Sequence, residues 1–292
     1  MKRAALVIAW FVTSCSGSRA PEPVATVVPK AAPVVTPIDV PWQPASFTVH
    51  VSGTGRPVIL IPGLGCPASV WDTTVAHLGA GYQAHVVQIA GFAGAHPNGD
   101  APVSLTVRNE LAHYIVSHHL DHPIVIGHSM GGFLAMWLAA DSAELVGPVI
   151  VLDGAAFLDG TDPDSARHMR DQIIASSAAD FDKDVRAMFG NMFGDPKQAQ
   201  PVIEQVLESD RKTFANALYE LFTTDIRGEL PKIIVPVLVL VADGPFADQI
   251  EKQANAIPRH ESKLLPHTHH FVMFDDPKAT FAAIDTFLAA HK

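Results

Sequence analysis

The residues with the clearest chemical potential lie at Ile124-Val125-Ile126-Gly127-His128-Ser129-Met130-Gly131-Gly132, where a β-branched run passes directly into a helical pattern, Phe133 to Ala140. A serine at such a corner sits in a sharp turn that lifts its hydroxyl above the sheet, with the start of the helix directing positive dipole toward it. Gly127 and Gly131 fit this reading, because side chains there would collide with the neighbouring strand and helix. A plain βα turn with a capping serine leaves both glycines unexplained. Ser129 is therefore the candidate nucleophile, and hydrolysis by a serine needs a base, an orienting acid and donors for the oxyanion. Among fifteen histidines, His270 is the candidate base: it follows the strand-like Lys263-Leu264-Leu265 and precedes Phe271, in a late loop able to fold back over the serine. His269 and His267 are its neighbouring alternatives. The run His267-Thr268-His269-His270 has no nearby cysteine or regularly spaced carboxylate to complete a metal site, so neither metal nor other cofactor is expected.

The elements that must position these groups alternate. Phe47 to Val51 reads as a strand, Gly53-Thr54-Gly55 turns the chain, and Pro57 to Ile61 is an apolar run suited to a buried parallel strand. Further buried strands are expected at Ala84 to Ile89, Pro123 to Ile126, Val149 to Leu152 and Val235 to Val241, with helical stretches such as Thr73 to Gly79 and Leu105 to His118 between them. Strands alternating with helices imply an α/β fold, a mostly parallel sheet covered on both faces. From Gly154 to about Lys232 the alternation stops. Helical patterns such as Pro163 to Ala178 and Pro201 to Asp210 follow one another without a strand, which reads as an inserted helical lid. Its 14 acidic and 9 basic residues give no invitation to an anionic substrate.

With these motifs in place, residues Phe47 to Lys292 resemble the α/β-hydrolase superfamily. The resemblance is carried by Ile61-Pro62-Gly63-Leu64-Gly65, by the elbow around Ser129, and by His269-His270-Phe271 followed by Asp276-Pro277. It implies a lid where residues 154–232 lie, and a catalytic histidine immediately before a phenylalanine, which matches His270. The oxyanion donors are expected to be the backbone N–H groups of Leu64 and Met130. For the acid, the superfamily usually uses the loop after the strand equivalent to Val235–Val241, here Ala242-Asp243-Gly244-Pro245-Phe246-Ala247-Asp248. Asp243 is the first choice. Asp153, at the end of the Val149–Leu152 strand, is the alternative that other members use, and Asp248 is a weaker candidate that would start a helix. All three give the chain order Ser, Asp, His. Cys66, in the oxyanion loop, reads as a small apolar pocket residue rather than a nucleophile.

The N-terminus bears on compartment. Lys2 and Arg3 precede a nine-residue apolar run, Ala4 to Val12, too short to span a bilayer but suited to a signal peptide. The following Thr13-Ser14-Cys15 resembles a bacterial lipoprotein signal, implying acylation of Cys15 after removal of what precedes it; Ser16 in the next position points to the outer membrane. An ordinary signal peptide cleaved near Ala20 is the rival. Residues 16–45 carry seven prolines between Pro21 and Pro44 among Ala, Val and Thr, a composition that forms an extended tether rather than a core. The folded domain is expected over 46–292.

With 292 residues, 48% apolar, the chain can bury a sizeable core, and its net charge of −10 argues against nucleic acid as a partner. Two cysteines, Cys15 and Cys66, exclude a disulfide scaffold. The expected protein is an exported, lipid-anchored serine hydrolase of the cell envelope, acting on a small carboxylic ester or lactone through an acyl-enzyme. The alternatives are an amide or carbon–carbon bond hydrolase, or a catalytically silent binding protein that kept the fold.

Overall fold

The computed structural model describes residues 42–292; the leader, Cys15 and the tether up to residue 41 lie outside the described residues. After the short strand β1 (Phe47–Gly53), the chain alternates β2 (Gly55–Ile61), α1 (Asp72–Leu78), β3 (Gly81–Ile89), α2 (Val103–Ser117), β4 (Ile124–His128), α3 (Met130–Asp141) and β5 (Val149–Leu152). Four helices then follow without a strand: α4 (Pro163–Ala175), α5 (Ala178–Gly190), α6 (Pro196–Val206) and α7 (Arg211–Thr223). Alternation resumes with β6 (Val237–Ala242), α8 (Ala247–Ala254), β7 (His260–Leu265), the single turn α9 (Val272–Asp275) and α10 (Pro277–Ala290).

The strands form one seven-stranded sheet in the order β1-β3-β2-β4-β5-β6-β7. Only β1 runs antiparallel, against β3; the rest are parallel, as the apolar runs imply. Helices flank the sheet, and β4, β5 and β6 are buried along their whole length. Each fully buried Val, Leu or Ile there contributes about 1.5–3 kcal/mol relative to exposure. Register matters more for the site. His128 pairs with Leu152 and Leu152 with Leu240, so β4, β5 and β6 end level, and whatever follows them emerges side by side at the carboxyl edge, where open α/β sheets bind ligands.

The lid helices start on local signals. Asp162, Ser177, Asp195 and Asp210 each cap a helix by accepting from a backbone N–H in its first turn, and Pro163 and Pro196 occupy the first helical positions of α4 and α6. Two boundaries differ from the sequence expectation for this reason. Ser177 begins a new helix where one continuous element to Ala178 was expected, and α6 starts at Asp195-Pro196 instead of Pro201, which sits inside it. That interior proline forgoes one helical hydrogen bond.

The lid is fastened to the sheet domain by side chains. Gln253 Oε1 accepts from Ala156 N–H and Phe157 N–H at 2.8 and 3.2 Å, and its amide donates to the Phe157 carbonyl at 2.8 Å. From α7, the Glu220 carboxylate accepts from Val103 N–H at 2.8 Å and Ser104 N–H at 2.6 Å, capping α2, which has no side-chain cap of its own. Burial raises the Glu220 carboxyl above its usual range, while the α2 amides act in the opposite direction.

Candidate active site

Ser129 follows β4 with φ 54° and ψ −119°, a conformation that costs a non-glycine residue on the order of 1–3 kcal/mol and persists only where the surroundings enforce it. They do so closely. Ser129 N–H donates to Leu152 O at 2.9 Å, and its carbonyl accepts from Phe133 N–H at 3.0 Å. The flanking glycines are required by contact: a Cβ on Gly127 would lie 2.1 Å from Gly131 O, and one on Gly131 would lie 2.0 Å from Ile61 O. The first turn of α3 can therefore press against β2 and β4 only because both positions lack a side chain.

The same edge supplies a carboxylate. Asp153 follows β5 with φ 49°, its N–H donating to Leu240 O at 2.8 Å. Its Oδ1 accepts from Ala242 N–H at 2.9 Å, and Oδ2 lies 2.6 Å from His270 Nδ1. Its side chain is 9% exposed and that of His270 24%, so the pair is sheltered while the histidine keeps an open side. Gly154 keeps this turn close to the elbow, since a Cβ there would meet Ser129 O at 2.8 Å.

The order of preference between the two acids is thereby corrected: Asp153, not Asp243, faces His270. The reason is topological. β5 is the hydrogen-bonded neighbour of β4, and its end delivers Asp153 beside Ser129, whereas Asp243 follows β6, one strand farther away. Asp243 is exposed, its carboxylate accepting from His267 N–H at 3.1 Å. Asp248 lies in the first turn of α8, where its charge suits the helix dipole. The neighbouring histidines are also engaged elsewhere: His269 pairs with Asp275 at 2.9 Å, and His267 adopts φ 62° in the turn held by Asp243.

Gly63 brings the Pro62–Leu64 loop against the elbow, since a Cβ on it would lie 3.2 Å from Ser129 Cβ. Among the described residues, neither Leu64 N–H nor Met130 N–H has a hydrogen-bond acceptor, although both residues are buried. Unpaired donors in such surroundings are rare, and these two flank the serine. Cys66 is buried in the same loop, its N–H donating to Gly63 O at 3.1 Å, and burial pushes its thiol up to about 12, which suppresses thiolate chemistry.

Sequence reasoning left two residues here without a role. His128 is fully buried; its Nε2–H donates to the His270 carbonyl at 3.0 Å, and burial, with His270 nearby, holds its pKa well below the usual range, so it stays neutral. Asp275 was hidden by the adjacent Asp276-Pro277, a readable helix start: Asp276 does cap α10, accepting from Ala279 N–H, while Asp275 turns inward.

Comparison with known proteins accords with this geometry. The chain is 26% identical over 247 residues to a pimeloyl-[acyl-carrier protein] methyl ester esterase of Vibrio atlanticus (strain LGP32), covering 80% of this chain and 91% of that one. It is 23% identical over 224 residues to 3-oxoadipate enol-lactonase 1 of Acinetobacter baylyi, covering 71% and 82%. Among solved structures, the enol-lactonase from Burkholderia xenovorans LB400 superposes with a TM-score of 0.74 at 19% identity, covering 83% of this chain and 96% of that one. A family model described as Alpha/beta hydrolase family matches residues 58–284, and the chain belongs to that family.

Proposed function

We propose that the protein is a serine hydrolase that cleaves a small carboxylic ester or lactone through an acyl-enzyme on Ser129. The observation that carries this reading is the 2.6 Å contact of Asp153 with His270 Nδ1, at the same sheet edge as a serine held in the strained elbow. With Nδ1–H donated to Asp153, the other ring nitrogen is the basic one. It takes the Ser129 proton as Oγ attacks the substrate carbonyl, and Asp153 stabilises the imidazolium that forms. The oxygen of the tetrahedral intermediate is received by Leu64 N–H and Met130 N–H, donors worth about 3–4 kcal/mol each in comparable sites. His270 then protonates the leaving alcohol. Water attacks the acyl-enzyme by the reverse proton path and releases the acid. The named activities of the relatives, a methyl ester esterase and an enol-lactonase, favour an oxygen ester over an amide or carbon–carbon bond.

Labelling with a fluorophosphonate followed by peptide mapping tests the nucleophile without knowledge of the substrate. An adduct at Ser129 that is lost in Ser129→Ala is expected; folded protein that does not label would reject the serine-hydrolase reading in favour of a silent binding protein. Export and anchoring through an acylated Cys15 remain part of the proposal, supported by the lipobox-like residues and the proline-rich tether alone. Detergent-phase partitioning of the wild type, lost in Cys15→Ala, is the expected result; equal partitioning into the aqueous phase would reject the anchor and leave the chemistry untouched.

A further inference from the structure

The loop that carries His270 is held by the lid as well as by the sheet. Asp275 has a side chain only 4% exposed, and both its oxygens are engaged. Oδ1 accepts from Gly194 N–H of the α5–α6 connection at 2.9 Å. Oδ2 accepts from His269 N–H at 2.6 Å and lies 2.9 Å from the His269 ring nitrogen Nδ1. On the other side of His270, Phe271 N–H donates to Met192 O at 3.2 Å, and the Phe193 ring stacks on Phe271 at 3.9 Å with planes 15° apart. A Cβ on Gly194 would come within 3.2 Å of the Asp275 carboxylate. The fit leaves little slack.

Resting on the serine-hydrolase reading of the site, we infer that Asp275 is a positioning residue that ties lid residues 192–194 to the catalytic histidine loop, so that the lid helps set where the His270 ring sits. The peptide N–H groups before and after His270 are both anchored outside the sheet, the first to Asp275 and the second to Met192. The buried carboxylate joins the two segments directly. A charged acceptor shared by a lid amide and a loop amide holds them more firmly than neutral contacts would. It follows that this end of the lid forms a fixed wall of the site, and that loosening it displaces the base as well as exposing the pocket.

The test is Asp275→Asn. The amide offers one acceptor oxygen, so its NH2 must face either Gly194 N–H or His269 N–H, donor against donor. The segments should then separate, and a shift of the order of 1 Å in the base can cost about a hundredfold in rate. The expected result is a ten- to hundredfold fall in kcat on a short-chain p-nitrophenyl ester, with a parallel fall in the rate of Ser129 labelling and KM changed much less. Gly194→Ala, made in the lid and leaving both histidine-loop residues intact, should act in the same direction and decides the matter if Asp275→Asn does not fold. Amide hydrogen exchange gives a readout independent of turnover: peptides covering 190–196 and 266–275 should lose protection together in either variant. Unchanged kcat, an effect confined to KM, or protection lost in only one of the two segments would overturn the inference. A wild-type protein that exchanges as expected but never labels at Ser129 would instead count against the serine-hydrolase reading.

Discussion

Replacing Asp153 with Asn separates the two candidate acids, because the structure dictates how the amide must sit. Asn tolerates the left-handed φ of 49° at this position as well as Asp does, so the turn itself is not strained. Ala242 N–H, on a buried residue, needs the acceptor that Asp153 Oδ1 now provides at 2.9 Å. If the amide oxygen stays there, its NH2 faces His270 Nδ1, which must become the acceptor, and the ring proton moves to the nitrogen that should deprotonate Ser129. Turning the amide over restores the tautomer but leaves Ala242 N–H unpaired, at about 1–3 kcal/mol. Either way the negative charge that supports the imidazolium is gone, and a hydrogen bond to a charged group is worth about 1.5–3 kcal/mol. Together these amount to about 2.5–6 kcal/mol, or roughly 10²–10⁴ in kcat. The assay is steady-state hydrolysis of a short-chain p-nitrophenyl ester, run beside Asp243→Asn, whose amide oxygen can still accept from His267 N–H and which should change kcat by less than about threefold. Comparable losses in the two variants, or a larger loss in Asp243→Asn, would refute the assignment of Asp153 as the orienting acid.

Other substitutions probe the scaffold. Gly131→Ala improves intrinsic helix propensity by about 1 kcal/mol, yet its methyl would sit 2.0 Å from Ile61 O and 2.8 Å from Pro62 O; overpacking against main chain wins, and chemical denaturation should show a net loss of about 1–3 kcal/mol together with lost turnover. Glu220→Gln leaves only one acceptor for the two α2 amides it now caps and should cost about 1 kcal/mol in the same assay. His85 is buried, and its burial, with the charge of His118 second, lowers its pKa from 6.5 to about 4. The unfolded chain therefore takes up a proton that the native state refuses. Stability from this source is complete above pH 6.5 and declines as pH falls toward 4, so the urea midpoint should drop between pH 7 and pH 5, and drop less in His85→Gln.

Much of the fold was legible because the strands that matter are buried on both faces. Ile59–Ile61, Val149–Leu152 and Val237–Val241 are nearly continuous apolar runs, a pattern that belongs to parallel strands between helical layers. The lid was visible for the opposite reason, as a stretch of helical periodicity without such a run. Its internal boundaries were less visible. They depend on which acid or serine caps a helix, and Asp-Pro at 195–196 competes in the sequence with a later proline at 201 that a helix interior ordinarily excludes.

The site shows the same division between local and non-local information. Ser129 is encoded locally: two glycines, four residues apart at a strand–helix junction, admit few readings once each is seen to touch main chain at about 2 Å. His270 needed only the order of late elements. The acid was different, since Asp153 and Asp243 both follow strands of the right kind and both precede the histidine in the chain. What separates them is the pairing of β5, rather than β6, with β4, together with the competing donors: Ala242 N–H orients the Asp153 carboxylate beside His270, while His267 N–H holds that of Asp243. Both are long-range hydrogen-bonding facts with no periodic trace in the sequence. The same holds for Asp275, whose partner Gly194 lies 81 residues away. The local residues around Ser129 thus specify that a nucleophile is present, while its base is oriented by contacts that only the assembled sheet and lid create. Substitutions at Gly127 or Gly131 should accordingly disturb folding and activity together, whereas those at Asp153 should fall mainly on kcat.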